Sequence, residues 1–265
     1  GLTTDLRDVE QAEVVIISIG SQSLRALLAE APMQALRNKT VVLCMKGLEM
    51  GTGERLSVIA GELLHPSCTV AVWLGPGHVQ EFYRGIPNCM VIDSENEQVK
   101  RRLVQAFSSD LIRFYYGGDM IGNEVGAAAK NVVGIAAGFL DGVEMSSLKG
   151  ALMSRGTREV ARLIRAMGGN ELSAYGLCHL GDYEATVFSP YSHNRQFGES
   201  FIRHQDYHRL AEGYYTVEAL MVLSERYQVE LPICRAVHAI LYENADPREQ
   251  LTELLRRGLR AEFDD

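Results

Sequence analysis

The stretch GAAAKNVVGIAAG, residues 126–138, sets one long cationic side chain, Lys130, inside a run of Gly, Ala, Val and Ile. On a helix its neighbours three and four positions away are Gly126, Ala127, Val133 and Gly134. Such small residues let other backbone or a ligand approach closely. They also leave the amine poorly solvated, which lowers its pKa toward that of a usable general acid or base. The alternative is a lysine whose stem lies on apolar surface while its ammonium reaches water. An unpaired buried ammonium is costly to desolvate, so the first reading requires a partner.

Three further segments hold residue types suited to chemistry. Lys46 follows the strand-like run TVVLCM and precedes Gly47, where it could contact an anion or a carbonyl, or be an ordinary loop lysine. In LGDYEATVFSPYSHNRQFG (180–198), Asp182 and Thr186 share one face if the segment is helical. Ser192, Asn194 and Arg195 could cradle a phosphate if they head the following helix, because free N–H groups there favour anions. His193 among them reads as a hydrogen-bonding surface residue, and the whole segment could instead be a polar interhelical turn. Glu212, in LAEGYYTVEAL, could read a ribose hydroxyl or could simply be a helix-start glutamate.

These residues need elements to position them. EVVIISI (13–19), TVVLCM (40–45), CTVAVWL (68–74) and NCMVID (88–93) are apolar runs bounded by Gly or Pro. Runs of this kind predict strands buried on both faces of a parallel sheet, with a helix over LRALLAEAPMQAL after the first. Ligands in open α/β sheets bind outside the carboxyl ends of the strands. Gly20-Ser21, Lys46-Gly47 and Gly75-Pro76-Gly77 all fall at that edge. From about residue 118 the pattern predicts helices over 121–140, 146–168, part of the 170s, 194–203, 210–227, 231–242 and 247–260. Ser146 or Ser147 should open the second of these, and Asp246-Pro247 should start the last. The expected fold class is α/β then all-α: a sheet domain over 1–117, then a helical domain over 118–265. A dinucleotide-binding sheet should open with a strand, a GxGxxG turn and a helix, and nothing before residue 13 supplies them. GTGERL (51–56) has two of the glycines but follows no strand end, and reads as a surface turn.

Charge and cysteine usage narrow the function classes. A formal charge of -8 gives no general pull toward nucleic acid or anionic membranes, though a local cationic pocket stays compatible with it. The five cysteines are widely spaced and form no CxxC or Cys/His pattern, which points to a reducing cytoplasm and away from a metal site. The acidic opening GLTTDLRDVEQAE does not resemble a targeting segment. Glu124, Lys130, Asn131 and Asp141 interrupt the most apolar stretch, so no membrane span and a soluble protein are expected.

Taken in order, SQSLR, MKGLE, LGPGH, GNEVGAAAKNVVGIAAGFLDG, SRGTREVARL, LGDYEAT, SHNRQFG, AEGYYT and LPICRAVHAILYENADPRE resemble the bacterial NAD(P)-dependent glycerol-3-phosphate dehydrogenases. The resemblance covers essentially the whole chain. It implies an incomplete Rossmann-like sheet domain followed by a helical substrate-binding and catalytic domain. It implies reversible hydride transfer, with NAD or NADP, between dihydroxyacetone phosphate and sn-glycerol 3-phosphate for phospholipid synthesis. Lys130 matches the family's proton-transfer lysine, and Asp182 a residue that orders it. Substrate contacts are implied at Lys46, Gly75, Asn131 and Thr186, and at the phosphate turn of Ser192, His193, Asn194 and Arg195. Cofactor-side positions are implied at Ser21, Lys46, Val79, His193, Leu210 and Glu212. No nucleic acid partner and no stable membrane insertion are expected; a homodimer is allowed, although no motif specifies one.

The sequence departs from the family pattern in three places. The glycine-rich βαβ unit is missing, which implies either a truncated or processed form, the favoured reading, or a divergent relative with altered cofactor use. Gly77, His78 and Val79 stand where the family usually reads Ser or Thr, Phe, Ala, and His193 stands where it usually has arginine. Two other readings follow from these departures: a non-enzymatic module that binds a phosphate ligand, and a dehydrogenase of another small hydroxy acid.

Overall fold

The computed structural model describes residues 1–77 and 79–256. His78, and the part of the predicted 247–260 helix beyond residue 256, lie outside the described residues. The first strands are β1 (Val14–Ile17), β2 (Thr40–Leu43) and β3 (Thr69–Leu74). Helices α1 (Leu24–Ala29) and α2 (Ala31–Gln34) return the chain from β1 to β2, and α3 (Leu56–Leu63) returns it from β2 to β3. The helix predicted as one over LRALLAEAPMQAL is split because Pro32 has no N–H to continue the ladder. The Leu28 carbonyl accepts instead from Gln34 Nε2 at 2.6 Å.

Helix α4 (Val79–Tyr83) leads to β4 (Asn88–Asp93), and α5 (Glu97–Phe107) leads to β5 (Ile112–Tyr116). The strands lie in the order β1-β2-β3-β4-β5. β1, β2 and β3 run parallel to one another, and β4 runs parallel to β5. The β3–β4 pair is antiparallel, which corrects the all-parallel expectation. The chain turns back directly after β3 rather than crossing a sheet face. Gly75 starts that reversal at φ +122, with its α-carbon so close to β4 that a Cβ would lie 3.1 Å from Met90 Cα. Strand β5 was not predicted, because IRFYY buries only Phe114 and exposes Arg113, Tyr115 and Tyr116. It is a strand of aromatic character with one wet face, not a continuous apolar run.

Side-chain alternation divides the sheet's two faces. Val41 and Leu43 pack with Leu24, Leu28, Leu56 and Ile59, whereas Val42 packs with Ala71, Ile92, Leu103 and Phe114. All four residues of β2 are buried, as expected of a central strand covered on both sides.

Beyond β5 come α6 (Met120–Gly142), α7 (Lys149–Ala166), α8 (His193–Ile202), α9 (Glu212–Tyr227), α10 (Pro232–Tyr242) and α11 (Pro247–Arg256). A short 3-10 turn over Ser146–Leu148 leads into α7, and Asp246 Oδ1 caps α11 by accepting from Glu249 N at 2.8 Å. No helix among the described residues is long and apolar enough to cross a membrane. Helix α6 is buried without a break from Glu124 to Leu140 and forms the axis of the helical part. Gly134, Gly138 and Gly142 repeat every four residues along it and make a seam for α8. A Cβ at Gly138 would collide with the Arg195 carbonyl, and one at Gly198 with the Ile135 carbonyl. The two helices therefore meet backbone to backbone.

That contact predicts an asymmetric response to adding a methyl group. Gly138→Ala should destabilise by roughly 1–3 kcal/mol through overpacking. Gly150→Ala, where nothing lies within 4 Å of the added carbon, should be neutral or stabilising. Urea-denaturation midpoints measure the difference, and equal midpoints for the two variants would contradict the close crossing.

Candidate active site

Lys130 sits mid-way along α6, where the flanking small residues leave its ammonium buried, with the residue 6% exposed. Its Nζ lies 2.6 Å from Asp182 Oδ2 and donates to Thr186 Oγ1 at 2.8 Å. The Thr186 hydroxyl spends its own hydrogen on the Asp182 carbonyl at 2.7 Å, so its oxygen is left to accept from the lysine. Asp182 closes a 3-10 turn over Leu180–Asp182, and Thr186 lies in a single π-helical turn over Glu184–Phe188. That pair of irregular turns brings both groups to α6.

The second cation arrives from the sheet. Lys46 leaves the carboxyl end of β2 and donates from Nζ to Gly75 O at 2.6 Å and to Asp182 Oδ2 at 2.7 Å. Two ammonium groups therefore share one carboxylate oxygen. Burial pushes the Lys130 amine down to about 8; the Asp182 charge opposes that fall and the Lys46 charge adds to it. Burial alone would raise Asp182, but Lys130 and Lys46 outweigh it and hold the carboxyl below its usual range.

Two asparagines tie this centre to the scaffold. Asn131 Nδ2 donates to the Lys46 carbonyl at 2.9 Å, and Asn194 Nδ2 donates to Asn131 Oδ1 at 3.1 Å. Asn194 Oδ1 in turn accepts from Gly213 N at 2.9 Å. This amide relay joins the loop after β2, α6, α8 and the first turn of α9. One residue earlier, Glu212 reaches back to the sheet edge, accepting from Ser21 N at 2.9 Å and from Ser21 Oγ at 2.5 Å. It is both the helix-start glutamate of the sequence reading and a cross-link to the loop after β1.

Lys46, Gly75, Lys130, Asn131, Asp182, Thr186 and Asn194 thus converge on one place through direct contacts. Ser21, Glu212 and the half-exposed Leu210 gather beside it at the Gly20 turn. Ser192 caps α8, accepting from Arg195 N at 3.3 Å. Arg195 itself points elsewhere. Its guanidinium bonds Asp141 at 2.7 Å and Glu199 at 3.2 Å, and Asp141 lies about 16 Å along the axis of α6 from Lys130. His193 Nδ1 faces the Tyr207 hydroxyl at 2.9 Å, and Val79 is exposed at the start of α4.

Sequence reasoning passed over His179 and Tyr183, which flank Asp182 and are fully buried. His179 Nδ1 lies 2.8 Å from Gly126 O, and Nε2 lies 2.7 Å from Tyr183 Oη. The readable signal is the four-residue spacing in CHLGDYEAT, which puts a histidine and a tyrosine on one face around an aspartate.

The family model described as NAD-dependent glycerol-3-phosphate dehydrogenase C-terminus matches residues 119–252, and the N-terminus model matches residues 2–100. A glycerol-3-phosphate dehydrogenase [NAD(P)+] of Thermotoga sp. (strain RQ2) is 33% identical over 98% of this chain and 81% of its own length. One from Prosthecochloris aestuarii is 33% identical over 95% of this chain and 79% of its own. The crystal structure of glycerol-3-phosphate dehydrogenase from Coxiella burnetii superposes with a TM-score of 0.88 at 29% identity, covering 96% of this chain and 80% of that one. A ketopantoate reductase of Ralstonia eutropha, at 14% identity and a TM-score of 0.59, shares the fold. The chain belongs to the NAD-dependent glycerol-3-phosphate dehydrogenase family.

Proposed function

We propose that this protein catalyses reversible hydride transfer between dihydroxyacetone phosphate and sn-glycerol 3-phosphate, with Lys130 moving the proton. The observation that carries this reading is the buried Lys130 ammonium, held by Asp182 and Thr186 where the sheet edge meets the helices. With a pKa pushed down to about 8, Lys130 has both its charged and neutral forms within reach near neutrality. In reduction its ammonium donates to the carbonyl oxygen as negative charge builds there. In oxidation its neutral amine takes the proton from the hydroxyl. Lys46 adds a second positive charge beside the same oxygen, and Asp182 keeps the two cations together. Asn131 and Asn194 fix the Lys46 loop and α8 relative to that centre.

A nicotinamide cofactor, NAD or NADP, supplies or accepts the hydride when bound. The chain's own residues fit the nicotinamide end: exposed Ile19 and Leu210 offer apolar surface at the carboxyl edge of the sheet, within the same region as Lys46. Among the described residues no glycine-rich turn precedes β1; a 3-10 turn over Leu6–Gln11 stands there. We assign the substrate phosphate to the first turn of α8, capped by Ser192, where backbone N–H groups favour an anion. We divide the chain at residues 117 and 118 into a nucleotide-side and a substrate-side domain. Five free thiols support a reducing, cytoplasmic setting.

With dihydroxyacetone phosphate and NADH or NADPH the protein should turn over, and Lys130→Met should lower kcat by roughly 10²–10⁴-fold. Wild-type activity in that variant would remove the lysine from the mechanism. Comparable activity on unphosphorylated dihydroxyacetone would instead favour another hydroxy substrate, and substrate binding without turnover a non-enzymatic module. The pH profile is directional. The reduction rate should fall as pH rises through about 8, and the oxidation rate should rise through the same range. Asp182→Asn removes the charge that sustains the Lys130 ammonium, so both limbs should move to lower pH in steady-state assays.

A further inference from the structure

We propose that His179 and Tyr183 are positioning residues: a buried imidazole–phenol pair that clamps the Asp182 turn onto the part of α6 leading into Lys130. This inference rests on the proton-transfer role of Lys130 given above and extends it to residues that touch neither substrate nor lysine.

The two side chains have no exposed surface, and each polar atom they bury is bonded. Their hydrogen-bond directions are forced. The Gly126 carbonyl can only accept, so His179 Nδ1 carries the hydrogen and donates to it at 2.8 Å. Nε2 of a neutral imidazole is then an acceptor, so the Tyr183 hydroxyl donates to it at 2.7 Å. Burial pushes the imidazole down to about 4, which keeps it neutral and this single tautomer in place through the physiological range. The phenol oxygen meets Thr157 Oγ1 of α7 at 3.5 Å on its other side.

The location gives the pair its role. In the α-helical ladder the Gly126 carbonyl also accepts the backbone N–H of Lys130, so His179 grips the turn that carries the lysine. A Cβ at Gly126 would lie 3.1 Å from His179 Cβ, so glycine there leaves room for the approach. Asp182 follows three residues after His179, and its N–H donates to the His179 carbonyl at 3.0 Å. Tyr183 comes next, its ring sealed in the core beside α7. The aspartate is thus anchored on both sides in sequence, and its Oδ2 is held where Lys130 and Lys46 meet.

The other groups around the centre leave geometry as what a substitution here would alter. Lys46 reaches it from the loop after β2, and Asp182, His179 and Cys178 from the segment before α8. Burial pushes the Cys178 thiol up to about 12, so it adds no charge. Removing one oxygen from Tyr183 therefore changes no charge nearby. It changes only how firmly the carboxylate is held.

Tyr183→Phe and His179→Asn test this. Phenylalanine keeps the packed ring and loses the donor. Asparagine keeps a donor near the Nδ1 position and loses the acceptor. In protein labelled with 13C at lysine Cε, with Lys130 assigned by the Lys130→Met spectrum, both variants should titrate Lys130 at a midpoint lower by roughly half a pH unit or more. The basic limb of kcat should move with it, kcat should fall by about tenfold, and KM should hold. The double variant should be no worse than the more affected single one, because the pair acts as a unit. Variants with lowered thermal stability but an unmoved Lys130 midpoint would overturn the positioning role. An inactive wild type whose Lys130 midpoint still shifts in the variants would overturn the proposed reaction and leave the clamp standing.

Discussion

Two ammonium groups meet on a single carboxylate oxygen, Asp182 Oδ2, in a place that water barely reaches. Lys130 would be expensive to bury alone, and breaking its buried pair with Asp182 by removing one partner would cost about 3–5 kcal/mol, because the other loses its compensation; Lys46 reaches the same oxygen from a partly exposed position. The three groups come from three parts of the chain: the sheet edge, the axis of the helical part and the irregular turns before α8. Neither the sheet nor the helices can adopt a different mutual placement without stranding a charge. With both lysines charged the centre carries a net positive charge, which suits an oxygen that becomes negative during reaction.

Bringing those three parts so close requires a helix almost without side chains. In α6 the residues around Lys130 are chiefly glycine and alanine, so the Asp182 turn, α8 and α9 can come up to its backbone. Gly213 shows the tightness of this fit, since a Cβ there would sit 2.6 Å from the Asn131 carbonyl. The helix stability lost to glycine is offset by burial along nearly the whole length of α6. The same closeness desolvates the lysine. Scaffold and chemistry therefore have one physical origin here.

Local pattern carries some of this into the sequence. A lone lysine in an apolar small-residue run announces burial, and burial demands a counter-charge; only the family resemblance points to Asp182 for that role, and it stands 2.6 Å away. The order of strands then helices follows from apolar runs giving way to helical periodicity. What escapes the sequence is whatever depends on tertiary competition. Strand β5 shows one wet face and so breaks the rule of continuous apolar runs. The antiparallel β4 depends on a reversal at Gly75 that the strand sequence does not encode. Arg195 has the residue type to hold a phosphate, yet Asp141 and Glu199 claim it, because a guanidinium pairs with the carboxylates within its reach whatever ligand a motif suggests.

The backbone-to-backbone crossing of α6 and α8 has a consequence for how such a sequence can drift. A core of leucine and valine can exchange volume between neighbours, losing a methyl here and gaining one there. Gly138 and Gly198 have nothing to give up, since each faces a main-chain carbonyl and no smaller residue exists. Substitution at the seam can therefore run in one direction only, toward collision. Selection would maintain this stripe of glycines for reasons of distance alone, and it would look functional in any survey of tolerated changes while touching no reactant.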